Sequence, residues 1–278
     1  MRKAMVVMVT LAGLLATGLL WAEDAIVAAV DGKHRNAANT ARDVYRHPAE
    51  TLSFFGLKPE MTVVEVSPGG GWYTEILAAV VAGSGQLYAA QAPLNGQPAY
   101  QRRNLGAFFA LLGSNDDLFG AVQVTHFQPP YALTMAPAAS ADMVVTFRNL
   151  HNWIMAQEAD GVSGRLAFRA MFDVLKPGGT LGVVDHRWPE DGDRAAGLRA
   201  GYVKESEAIA LAQAAGFKLV ARSDINANAA DTHDHPRGVW TLPPSLALGA
   251  QDAARYQAIG ESDRFTLRFE KPVVSSEG

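Results

Sequence analysis

The apolar positions of this chain follow two rhythms, and the clearest junction between them is Thr62–Leu77. A β-branched run, Val63-Val64-Glu65-Val66, breaks at Ser67-Pro68-Gly69-Gly70-Gly71, and apolar residues then recur at helical spacing at Trp72, Ile76, Leu77 and Val80. This reads as a buried strand, a tight glycine turn and a helix reaching about Val81. Glycines there permit positive φ and a close approach of the backbone to a ligand. Free N–H groups at the helix start attract an anion. The turn is therefore expected to carry a negatively charged part of a small-molecule cofactor.

The same two rhythms order the rest of the chain. Residues Glu23 to Asn39 read as a loosely ordered lead-in, and Thr40–Gly56 as a helix with Val44, Leu52, Phe54 and Phe55 apolar and Gly56 as its stop. After the Lys58-Pro59-Glu60 turn and the opening strand, further strands are predicted at Gln86–Ala90, Val122–Phe127, Ala141–Phe147, Thr180–Val184, Phe217–Ala221 and Phe265–Phe269. Helices are predicted between them at Trp72–Val81, at Gln97–Leu112 with Leu105, Phe108, Phe109 and Leu112 on one face, at Gly164–Leu175, and at Lys204–Ala215 capped by Gly216. Such alternation means an α/β fold with a doubly wound, seven-stranded, mostly parallel sheet. No helix separates the last two strands, so the last strand is expected antiparallel. Roughly forty irregular residues run between those two strands, with Asp231-Thr232-His233-Asp234-His235-Pro236 among them. A connection of that length is functional or disordered; a solvated surface loop is the alternative.

Composition adds compartment and excludes partners. The first residues, MRKAMVVMVTLAGLLATGLLWAED, have the pattern of an export signal: Arg2 and Lys3, then an uncharged apolar stretch to Ala22. Leu20, three positions before the cut, is larger than the usual small residue, so an uncleaved N-terminal anchor is the alternative. The chain divides into residues 1–22, an N-terminal lead-in and helix over 23–56, and a main domain over 57–273. Cleavage would remove Arg2 and Lys3, leaving 22 of the 24 basic residues against 28 acidic, a net charge of −6. No basic surface suggests nucleic acid. The chain has no cysteine, which excludes a lipid-anchored form, thiol catalysis and thiolate metal sites. With 278 residues, 49% of them hydrophobic, the core is large enough to need no disulfide in a bacterial envelope.

From Pro59 to Pro272 the chain resembles the class I S-adenosylmethionine-dependent methyltransferases. EVSPGGG at Glu65–Gly71 resembles that family's cofactor motif, LKPGGTLGVVDH at Leu175–His186 the segment leading into its fifth strand, and AAGFKLV at Ala214–Val220 its sixth strand. FRNLHNW and GESDRFTLRFEKP are similar to a subgroup of exported methyltransferases. The resemblance implies a Rossmann-like methyltransferase fold and S-adenosyl-L-methionine as cofactor. It puts Ser67, Pro68, Gly69, Gly70 and Gly71 around the methionyl part and Glu65 facing the cofactor's amino group, because a carboxylate in an apolar strand needs a partner. A capping or turn role is the alternative for Glu65. Two departures stand out. Ser67 replaces the motif's first glycine, and Gln91 replaces the acid that bridges the ribose hydroxyls, so the ribose bond there lacks charge assistance.

Ligands of a doubly wound sheet bind beyond the carboxyl ends of its strands. Arg148, Asn149 and His151 follow the fourth strand, Asp185 and His186 the fifth, and His233 and His235 the sixth. Methyl transfer is an in-line displacement that depends on positioning, with a general base for a hydroxyl or amine acceptor. His151 is the first candidate for that base and His186 the second, beside Asp185; a packing histidine is the alternative for each. Arg148 and Asn149 are placed with the cofactor; Arg148 also suits an anionic substrate or a pair with Asp185. Trp153, His233 and His235 are placed on the substrate, a small molecule. Asp234-His235-Pro236-Arg237 also reads as a lid. A metal site built from His233, His235 and Asp231 with Asp185 or His186 is a competing arrangement. A nicotinamide enzyme would want glycine where Thr74 stands. A non-catalytic protein of the same fold, binding a ligand or partner in the envelope, is the alternative to the enzyme.

Overall fold

The computed structural model describes residues 21–155 and 162–273. Arg2, Lys3 and the apolar stretch to residue 20, read above as an export signal, lie outside the described residues. In chain order the helices and strands are residues 21–30 (α1), Ala37–Thr40 (α2), Asp43–Arg46 (α3), Pro48–Phe55 (α4), Thr62–Val66 (β1), Thr74–Val81 (α5), Gln86–Gln91 (β2), Ala99–Leu112 (α6), Asp116–Phe119 (α7) and Gln123–His126 (β3). They continue through Ala141–Phe147 (β4), Leu150–Met155 (α8), Val162–Val174 (α9), Leu175–Trp188 (β5), Arg194–Arg199 (α10), Val203–Lys204 (β6), Glu205–Ala214 (α11), Lys218–Ser223 (β7), Ala253–Ile259 (α12) and Arg264–Glu270 (β8).

The sheet runs β3-β2-β1-β4-β5-β8-β7, with the two-residue β6 paired to β5. β1 is parallel to both β2 and β4, pairing Glu65 with Ala89 on one side and Val145 on the other. β8 is antiparallel to β5 and to β7. The seven expected strands are all present, and the last is antiparallel as expected. The strand order reverses between β1 and β4. That switch point fixes where a crevice opens at the carboxyl ends of the strands.

Strand alternation sorts the core into two layers. Val64, Val66, Val144 and Leu181 face Phe168, Met171 and Trp153. Val63, Met143 and Val145 face Ile76, Leu77, Phe55 and Ile26. Glu65 points with Val63 into the second layer, where almost everything else is apolar.

Two expectations about the N-terminal segment change. Residues 21–30 are not loose but helical, with Ala22, Ile26 and Ala29 buried against the sheet. Their i, i+4, i+7 spacing is a helical stripe, disguised because two of its three members are alanine. The helix expected over Thr40–Gly56 is split at His47, whose φ of 40° breaks it, and Pro48 starts a new helix. The long segment before β8 also has structure of its own: a 3₁₀ turn at Gly238–Thr241 and α12.

Candidate functional site

The glycine turn is shaped by contacts on both sides. Asn149 Nδ2 donates to Val66 O at 3.0 Å and to Ser67 O at 3.2 Å, and Gln91 Nε2 donates to Gly69 O at 2.7 Å. Ser67, Gly69 and Gly71 all hold positive φ, at 54°, 62° and 92°. Gly71 is held to glycine first by its φ of 92°; a Cβ there would also displace the end of the Leu111 side chain of α6 and come to 3.3 Å from Phe108. Gly69 is different: a Cβ there would meet nothing within 4 Å, because the turn faces open space. Among the described residues, no carbonyl accepts from the N–H groups of Gly69, Gly70 or Trp72. The turn thus offers unpaired donors ahead of an eight-residue helix, a fit for an anionic group such as the cofactor's carboxylate. Gln91 keeps its amide oxygen without a donor from the described residues, which suits a ribose hydroxyl.

A cleft of about 1540 Å³ runs from this turn across the tips of β4 and β5. A pocket for one small ligand occupies roughly 300–1,000 Å³, so this cleft has room for two. Its walls include Ser67, Pro68, Gly69, Gly70, Gln91, Phe127, Arg148, Asn149, His151, Trp153 and His186. Most of the residues expected at the site are therefore brought together. Trp153 closes the floor, edge-on to Phe127 with centroids 5.4 Å apart.

At the far end of the cleft the fourth and fifth strands present two imidazoles. His151 Nδ1 lies 2.9 Å from Asp185 Oδ1. Asp185 is fully buried and also accepts the backbone N–H groups of Leu150, His151 and His186. An acceptor so placed assigns the proton to Nδ1 of His151 and leaves Nε2 a bare acceptor in the cleft. His186 Nδ1 contacts Ser262 Oγ at 2.5 Å, and that hydroxyl also takes a donor from Arg264 Nε at 3.3 Å. Ser262 then donates to Nδ1, which makes His186 Nε2 a donor. Burial holds the imidazole of His186 well below its usual range, and the charges of His151, Arg264, Arg148 and Arg46 push the same way. The two rings stand 5.1 Å apart, one presenting a lone pair and the other an N–H.

Three expectations do not survive the geometry. Glu65 does not line the cleft: its Oε2 takes the Thr74 hydroxyl at 2.5 Å behind the turn. Burial pushes its carboxyl up to about 8, against the pull of Thr74. Glu65 ties β1 to the first residue of α5 through the Thr74 hydroxyl, without capping a backbone N–H of that helix. His233 and His235 sit outside the cleft as well. His235 Nε2 is 2.8 Å from Asp231 Oδ1 and His233 Nε2 is 3.8 Å from Asp263 Oδ2, because a two-residue spacing on an irregular segment sends each ring to its own local carboxylate. What that segment does contribute is Val239, Trp240, Pro243, Pro244 and Ser245. Arg148, finally, does not pair with Asp185, whose oxygens are taken.

The metal arrangement changes with it. Among the described residues, Asp185 and His186 group with His151 and not with Asp231; ligand atoms of the three lie within 4.8 Å of one another. Nδ1 of each imidazole is already engaged, and the arginines that oppose a proton on His186 oppose a cation equally.

Other cleft residues gave no signal in sequence. His34, Asn36, Asn39 and Arg42 come from the segment read as a loose lead-in, and Arg264 from the first residue of β8. Trp72 Nε1 donates to Asn39 O at 3.1 Å, and Asn39 Nδ2 to Glu75 Oε1 at 3.0 Å, which ties that segment to the start of α5.

No family model and no curated protein matches the chain. Solved structures do. A SAM-dependent methyltransferase from Aquifex aeolicus superposes with a TM-score of 0.54 at 16% identity, covering 83% of this chain and 93% of that one. The [4+2]-cyclase SpnF gives 0.52 at 19% identity, over 87% and 85%. A possible exported protein from Bordetella parapertussis gives 0.50 at 14% identity, over 91% and 80%. At these identities the likeness is one of fold, and the chain has the Rossmann-like fold of the S-adenosylmethionine-dependent methyltransferases.

Proposed function

We propose that this chain transfers the methyl group of S-adenosyl-L-methionine to a small-molecule acceptor in the cell envelope. The observation that carries the reading is a single cleft that joins the unpaired N–H groups of the glycine turn to the His151–Asp185 pair. The cofactor would be held at the N–H groups of Gly69 and Gly70 and would supply an electrophilic methyl group to the acceptor's electron pair, with the thioether as leaving group. The chain does the rest. Gln91 and Asn149 hold the turn in shape. Nε2 of His151 takes the proton from the acceptor hydroxyl or amine, and Asp185 fixes the ring and balances the charge it gains. His186 Nε2–H orients an acceptor oxygen through the lone pair that does not attack. A base placed so contributes roughly 10²–10⁴-fold. Envelope location rests on the export pattern of residues 1–22, and cell fractionation with and without those residues tests it.

A second reading, a ligand-binding protein of this fold without methyl transfer, has its own support. Gln91 stands where the family has an acid, and one of its two amide N–H donors is spent on Gly69 O. A fold that also serves a [4+2]-cyclase does not dictate the reaction. Calorimetric titration with S-adenosylmethionine and S-adenosylhomocysteine separates the two: binding of both supports the enzyme, and no heat at millimolar ligand removes it.

A further inference from the structure

Three arginines pair with one carboxylate, Glu261, and a fourth, Arg148, lines the cleft together with Arg42 and Arg264. Arg42 Nη2 lies 2.6 Å from Glu261 Oε1, Arg46 Nε lies 3.1 Å from Glu261 Oε2, and Arg264 Nη2 contacts the same Oε2. Burial alone would raise Glu261, yet Arg264, Arg46, Arg148 and Arg42 together hold it well below the usual carboxylate range. The fourth arginine is the informative one. The Arg148 backbone N–H donates to Val184 O at 2.7 Å, but its guanidinium has no hydrogen-bond or ion-pair partner among the described residues, and Arg148 lines the cleft with Arg42 and Arg264. Burial lowers its guanidinium to about 10, with Glu261 opposing and Arg264 and Arg42 adding to the fall. Its backbone is held left-handed at φ 63°, a strained conformation for a residue with a side chain.

Tying the N-terminal helices to β8 explains Arg42, Arg46, Arg264 and Glu261. It does not explain Arg148, nor the buried Nη2 of Arg46, which has no hydrogen-bond partner. Nearby acids are committed elsewhere: Asp185 to His151, Glu75 and Asp43 to Arg35, and Asp263 to Arg187 and His233. Glu261 is thus shared by three arginines, and the guanidinium of Arg148 is left on the cleft wall without a paired carboxylate. A carboxylate would meet it with a single charge. A phosphate group carries between about one and a half and two negative charges and matches the guanidinium fork with its oxygens.

We propose that the methyl acceptor is a phosphate-bearing small molecule whose dianionic group sits among Arg148, Arg264 and Arg42. The term acceptor rests on the methyl-transfer reading; the oxyanion site itself does not. Arg148 precedes His151 by three residues on one strand-to-helix connection. A phosphate anchored there holds the rest of the molecule over Nε2 of His151, which gives the positioning that in-line transfer requires.

The test is calorimetric titration of the whole mature protein with inorganic phosphate, with acetate as a monoanion control, in the presence and absence of S-adenosylhomocysteine. The expected result is one phosphate bound per chain, acetate much weaker, and no displacement by S-adenosylhomocysteine. Arg148→Gln should weaken phosphate by about tenfold or more, and Arg148→Lys by less, while both keep S-adenosylhomocysteine affinity within about twofold. Absence of phosphate binding at tens of millimolar overturns the proposal. So does mutual exclusion of the two ligands with Arg148→Gln weakening both alike, which would give the ring to the cofactor's carboxylate. Phosphate binding without S-adenosylhomocysteine binding would leave the oxyanion site standing and remove the methyl-transfer reading.

Discussion

Nδ1 of His151 lies 2.9 Å from Oδ1 of Asp185, and the carboxylate is held from behind by three backbone N–H groups. This pair determines which nitrogen faces the cleft. Replacing His151 by Gln removes the base but not the shape of the wall. The expected outcome is a kcat reduced by roughly 10²–10⁴-fold with S-adenosylhomocysteine affinity unchanged, read from initial rates and calorimetry on the same preparation. Asp185→Asn should behave worse, since an amide N–H₂ would face N–H donors; a stability loss of about 2 kcal/mol or more is expected in urea unfolding.

Glu65 provides a pH signature of folding. Its carboxyl is raised from the usual range to about 8, first by burial. The folded chain then keeps a proton that the unfolded chain loses, so stability falls as pH rises from about 4.5 to about 8. The slope from this one group approaches about 1.4 kcal/mol per pH unit. Glu65→Gln should flatten that slope and raise Tm more at pH 8 than at pH 5. An unchanged slope would show that the carboxyl is ionised throughout.

The two ends of the glycine turn should respond differently to one added methyl. Gly69→Ala places a Cβ in open space at positive φ, at a cost of about 1 kcal/mol. The protein should stay folded and lose S-adenosylhomocysteine affinity. Gly71→Ala drives a Cβ into Leu111 and to 3.3 Å from Phe108, and a loss of about 2–3 kcal/mol in unfolding free energy is expected. Thermal melts with and without ligand distinguish the cases.

The arginine ring bears on the cofactor's own charge. S-adenosylmethionine carries a sulfonium that S-adenosylhomocysteine lacks, and a positive ring disfavours it. Without a bound anion the uncharged sulfide should bind more tightly. Saturating phosphate should narrow the gap, and an Arg148→Gln variant should show a small gap from the start. Equal affinities in all three conditions would place the ring out of electrostatic reach of the sulfur.

The sequence carried the scaffold further than the site. All seven strands were legible because apolar runs such as Val63–Val66 and Met143–Val145 are bounded by glycine, proline or polar turns, and their alternation with helices implies a mostly parallel sheet, whereas the order of its strands was not read from the sequence. His151, Asp185 and His186 were legible because strand ends on a doubly wound sheet point to one crevice. Glu65 was misplaced although the signal was present: it shares Val63's face, which is the α5 side of the sheet and not the cleft. His233 and His235 suggested a joint role by proximity in sequence, but each is captured by a carboxylate of its own, Asp263 and Asp231. The arginine ring was not legible at all. Arg46, Arg148 and Glu261 stand more than one hundred residues apart and meet only when β8 inserts between β5 and β7 and the N-terminal helices fold over its end.

The most direct measurement is a crystal structure of the protein with S-adenosylhomocysteine. The account predicts the ligand's carboxylate on the N–H groups of Gly69 and Gly70, a ribose hydroxyl on Gln91 Oε1, and the sulfur facing the space before Nε2 of His151. Density for the ligand anywhere else, or a glycine turn closed by protein side chains with His151 turned away from it, would contradict it.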